Sequence, residues 1–98
     1  MTMRRFLIMR KRGGKAPSAA ELAAAAEKSN GVLRQMGPGI QWVESFVGTG
    51  GVVFCHYLAE NEALLRKHAQ RGDFPIDRIF EIGAVIDPTT ASSCTAAG

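Results

Sequence analysis

Residues 39–58 read Gly-Ile-Gln-Trp-Val-Glu-Ser-Phe-Val (39–47), Gly-Thr-Gly-Gly (48–51) and Val-Val-Phe-Cys-His-Tyr-Leu (52–58). Two runs rich in β-branched and aromatic residues flank a glycine turn, which is a strong short-range signal for a β-hairpin. With Thr49-Gly50 as a two-residue loop, Val47 faces Val52, Ser45 faces Phe54 and Val43 faces His56. That register puts Val43, Val47, Val52, Phe54, His56 and Leu58 on one face. The other face then carries Ile40, Trp42, Glu44, Phe46, Val53, Cys55 and Tyr57. Both faces are largely apolar, so each needs a cover. Two helices can cover one of them, and a second copy of the chain would cover the other.

A helical pattern lies on each side of the hairpin. On the N-terminal side, Ser18 followed three residues later by Glu21 is a capping box. Leu22, Ala25, Ala26, Ser29, Leu33 and Met36 then recur on one face, small enough to let the helix lie close on a sheet. Gly37-Pro38 ends that helix. On the C-terminal side, Asn61 is an N-cap, and Leu64, Leu65, His68 and Ala69 form the inner stripe. Gly72 closes the second helix. A short strand at Phe6–Met9 precedes the first helix. An alternating run over residues 77–86 follows the second and stops at Asp87-Pro88. Residues 1–88 thus make one domain, and residues 89–98, small and polar, form a tail expected to be disordered.

Ninety-eight residues bury only a modest core, which favours dimerisation. The net charge of +3 is uneven. The first fifteen residues hold six basic side chains and no acid, while the rest holds six against nine acids. The body has no basic stripe, so no nucleic-acid partner is expected. The basic residues around Phe6–Met9 read as a solvated strand edge. Two cysteines, Cys55 and Cys94, make neither a disulfide framework nor a metal knuckle. No apolar run reaches membrane-spanning length, so no membrane partner is expected. The expected location is the cytoplasm.

The order strand, helix, strand, strand, helix, strand is the split βαβ arrangement of the ferredoxin-like α+β fold, an antiparallel sheet with two helices on one face. Dimers of such units join their sheets in an α+β-barrel type assembly. The chain also carries Val-Leu-Arg-Gln-Met-Gly-Pro-Gly-Ile-Gln (32–41), running into Trp42 to Val47. Further on come His68-Ala69, Gly72, Phe74-Pro75 and Asp77-Arg78-Ile79, and then Val-Ile-Asp-Pro-Thr-Thr-Ala (85–91). Together these resemble a family of small bacterial ferredoxin-like proteins of unknown function that includes a nickel-binding member. The resemblance spans about residues 4–91. It implies a homodimer and, through that member, nickel as the cofactor to test; it implies no known reaction. This chain departs from the family pattern at Gly48 to Gly51, where a polar turn is usual, and at His56, where an apolar residue is common.

His68 matches a histidine of that pattern. Neutral imidazole suits nickel, so His68 reads as a metal ligand, or else as a half-buried histidine bonded near a helix end. Glu62, Glu44 and Asp73 are the carboxylates that could join it. His56 and Cys55 adjoin, but consecutive strand residues point to opposite faces and cannot share an ion. A second candidate is a ligand pocket of Trp42, Glu44, Cys55, Tyr57 and Glu81. Carboxylates among aromatics on an apolar sheet face suggest a ligand-holding space between two sheets, or a dimer interface with acids at its rim. No base is placed to activate Cys55, and no phosphate loop or zinc spacing is present. The sequence therefore favours a non-enzymatic, nickel-binding homodimer that sequesters or buffers the ion. The alternative is a small-molecule binder, or an oxygenase- or isomerase-like enzyme, using the cavity between sheets.

Overall fold

The computed structural model describes residues 2–92. The remaining tail, with Cys94, lies outside the described residues. The elements are β1 (Arg4–Lys11), α1 (Ala19–Met36), β2 (Ile40–Val47), β3 (Val52–Ala59), α2 (Glu62–Gly72) and β4 (Arg78–Ile82). The sheet order is β2-β3-β1-β4, antiparallel throughout. This is the ferredoxin-like arrangement the element order implied.

Local chemistry fixes the helix ends. The Ser18 hydroxyl accepts from the Glu21 amide at 3.1 Å, and the Ser18 amide donates to Glu21 Oε1 at 2.9 Å. Hydrogen bonds to the Glu21 carboxyl, from the Ser18 backbone amide first and the Ser18 side chain second, hold it below the usual carboxylate range. Asn61 Oδ1 accepts from the Leu64 amide and starts α2. Gly72 is the last residue of α2, but the turn itself falls on Asp73, which adopts the left-handed conformation at φ 56°. That conformation strains a residue with a Cβ. Asp73→Gly is therefore expected to raise stability by about 1 kcal/mol, read as a higher denaturation midpoint with an unchanged slope.

The core lies between the helices and one sheet face. Phe6, Ile8, Tyr57, Ala59, Ile40 and Leu65 are buried there, and Leu33, Met36 and Leu64 pack against them. β3 alternates buried and part-exposed positions along its length, as a strand covered on one side should.

Four expectations are corrected. The hairpin register differs: Val47 pairs with Val53, Phe46 with Phe54, Ser45 with Cys55 and Glu44 with His56. Val43 is an extra residue, a bulge between Trp42 and Glu44. It moves Glu44 and Phe46 off the helix side and brings Ser45 and Val47 onto it. The connection spans Gly48 to Gly51, closed by the Gly48 amide donating to the Val52 carbonyl at 2.7 Å. A Cβ on Gly48 would stand 2.9 Å from that carbonyl oxygen.

β1 is longer than expected, running through Arg4–Lys11, and Arg10 is buried rather than at a solvated edge. β4 ends at Ile82, whose pairing with Arg5 is the last between the two strands. Finally, α1 does not lie tightly on the sheet. Leu22, Ala25 and Ala26 are too short to fill the space beneath its first half, and a cavity remains. Beyond β4, Asp87 accepts from the Thr89 amide and its own amide donates to the Thr90 hydroxyl, tying residues 87–92 into a short turn.

Candidate functional site

The cavity under α1 has a volume of about 500 Å³. Alternation in β1 sends Phe6, Ile8 and Arg10 to the helix side, and alternation in β3 sends Val53, Cys55 and Tyr57 there. Trp42 and Ser45 reach the same space from β2, where the indole Nε1 donates to Ser45 Oγ at 2.9 Å. Phe74, just after α2, closes one wall.

His68 is fully buried beside this cavity. Its Nε2 lies 3.1 Å from Ser29 Oγ. Its ring stacks on Phe74, with centroids 5.3 Å apart, and tilts against Tyr57 at 5.5 Å. Burial first, and the Arg10 cation second, lower its pKa below the ordinary histidine value. It is therefore a neutral core imidazole at pH 7. Nδ1 has no hydrogen-bond partner, and the ring is fully buried with the Arg10 cation nearby. Tyr57 is pushed above the usual phenol value by burial, with Arg10 opposing the shift.

Arg10 is 7% exposed, and its Nε and Nη2 have no hydrogen-bond partner. Its guanidinium lies over the Phe74 ring, 5.6 Å from the centroid. Among the described residues no carboxylate pairs with it. The sequence reading missed Arg10 as a site residue. The signal was present, because strict alternation from Phe6 through Ile8 carries Arg10 to the inner face.

The other candidates are dispersed. Of the expected pocket residues, Trp42, Cys55 and Tyr57 line the cavity, which lies within the single chain rather than between two sheets. Glu81 is held at the sheet edge by Arg4, whose Nε and Nη2 donate to its two carboxylate oxygens at 2.9 and 2.6 Å. That pairing keeps the Glu81 carboxyl below its ordinary range. Glu44 lies on the outer sheet face, directly across from His56. His56 Nε2 accepts from the Arg5 guanidinium. Glu62 pairs with Arg66 one turn along α2 at 3.0 Å. Asp73 stands exposed at the opposite end of the same helix. Among the described residues no three His, Cys, Asp or Glu side chains gather closely enough to hold a metal ion. His68, Glu62, Glu44 and Asp73 thus do not form one site within the chain. Among the same residues, no helix is long and apolar enough to cross a membrane.

The outer sheet face is the second notable surface. Phe46, Phe54 and Phe80 are exposed there, Phe46 by 57%. The four-stranded antiparallel sheet with both helices on its other face makes the chain a small ferredoxin-like α+β protein, and exposed aromatic side chains grouped on one face mark an interaction surface.

The sequence of residues 6–82 matches the family described as nickel responsive protein SCO4226-like, and the chain belongs to that family. The fold is similar to that in "Crystal structure analysis of SCO4226 from Streptomyces coelicolor A3(2)", with a TM-score of 0.71 at 14% identity. That similarity covers 84% of this chain and 99% of the other. No curated protein matches the chain.

Proposed function

We propose that the chain acts as a nickel-binding homodimer that sequesters or buffers the ion, with donors completed across two subunits. Membership of a nickel responsive family supports the choice of metal. The observation that carries the site is the direct pairing of Glu44 with His56 on the exposed sheet face; the site is this chain's own, because the family pattern commonly has an apolar residue in place of His56. A carboxylate and an imidazole there supply one oxygen and one nitrogen donor, and a second copy on the same face would double the set. The ion must take the Nε2 lone pair of His56 from Arg5, so binding displaces that guanidinium. In the homodimer, apolar side chains from both copies would cover the pair, exclude water and hold the donors in place. The proposal needs no chemistry beyond binding.

Glu44→Gln keeps shape and removes the anionic donor. Equilibrium dialysis of nickel against untagged protein is expected to show saturable binding, weakened by about tenfold or more in Glu44→Gln, in line with the loss of a metal ligand or its close support. An unchanged affinity in that variant would remove the outer-face site.

A further inference from the structure

We propose that the cavity under α1 binds a small organic carboxylate, with its head on Arg10 and its apolar body between the aromatic walls. This goes beyond the nickel reading and does not depend on it. Arginine cannot shed its charge in a protein, so a buried guanidinium without a counter-ion calls for an anion. The two unpartnered nitrogens, Nε and Nη2, form one edge of the planar fork; both are shielded from solvent in the ligand-free chain, so a bound head requires the guanidinium to turn toward the cavity that Arg10 lines. That edge matches a carboxylate's two oxygens. The same edge of Arg4 grips Glu81 in this way at the sheet margin. Asp73 stands at the cavity rim, but it makes no ion pair with Arg10.

The space beside Arg10 suits a ligand rather than a lone ion. Its volume of about 500 Å³ lies within the range of metabolite pockets. Its walls include Trp42, Tyr57 and Phe74, and the small side chains of α1 leave the room above them. Flat or branched apolar groups gain most from such walls. Arg12 adds a second positive charge to the lining and would draw an anion in.

The test uses the full chain without metal and the fluorescence of its single tryptophan, Trp42, at the cavity wall. The probes are 3-phenylpropionate, its amide and inorganic phosphate. Saturable quenching is expected with the acid, at least tenfold weaker binding with the amide, and no competition from equimolar phosphate. Arg10→Met should bind the acid at least tenfold more weakly and melt at a higher temperature, because an unpaired buried charge has been removed. Should that variant not fold, Arg10→Lys keeps the charge, loses the two-pronged edge and should also bind at least tenfold more weakly. The proposal is overturned by no saturable change, by equal affinity for acid and amide, by undiminished binding in the Arg10 variants, or by phosphate competing as well as the acid. Loss of this proposal leaves nickel dialysis unaffected, so the two readings fail separately.

Discussion

Replacing His68 by alanine is expected to lower stability by about 3 kcal/mol near pH 7.5, the lower end of the range for truncating a large buried ring. The cost comes from the stacking partners Tyr57 and Phe74, the cavity left between α2 and β3, and a Ser29 hydroxyl left without its imidazole. The loss should shrink in acid. The folded pKa of His68 is lowered, so the unfolded chain binds a proton near pH 6.5 while the folded chain does not. Stability conferred by the neutral ring is therefore fully present above the unfolded value and declines as pH falls below it. The slope is at most about 1.4 kcal/mol per pH unit. His68→Ala lacks that slope, so urea titrations at pH 7.5 and 5.5 should give a smaller difference from wild type at the lower pH. Nickel uptake should survive the substitution. Loss of nickel with full stability would make His68 a ligand after all.

Phe46→Glu should act in the opposite manner, sparing the fold and breaking the assembly. Phe46 is more than half exposed in the single subunit, so its replacement should alter subunit stability by no more than about 0.5 kcal/mol. In the proposed homodimer the same side chain is covered. A carboxylate buried there without a partner costs about 3 kcal/mol, which weakens association more than a hundredfold. Sedimentation velocity at micromolar concentration should then show monomers where the wild type shows dimers. A variant that sediments like the wild type would place the dimer interface elsewhere.

The sequence carried much of this architecture because its signals were local. Ser18 and Glu21 marked the start of α1, Asn61 marked α2, and the glycines at 48–51 marked the hairpin, each through short-range backbone chemistry. The alternation of β3 likewise separated buried from part-exposed positions. What stayed illegible was pairing. A bulge at Val43 leaves no mark when both faces of a strand are apolar, since a slip then costs nothing visible in the pattern. That one residue moved Glu44 from the expected pocket to the outer face. Arg10 was misplaced for a different reason: a basic residue near a strand end normally stays in water, and here the strand ran further than its apolar centre. The cavity, too, depends on how far α1 stands from the sheet, which the alanines of its face leave undetermined.

The most direct test of the account compares nickel binding by the wild type and by Phe46→Glu in the same equilibrium dialysis, both untagged. A site completed across two subunits predicts saturable nickel on the wild type, lost when the dimer is lost. Equal nickel binding by a monomeric Phe46→Glu, or none by the wild type, would contradict it.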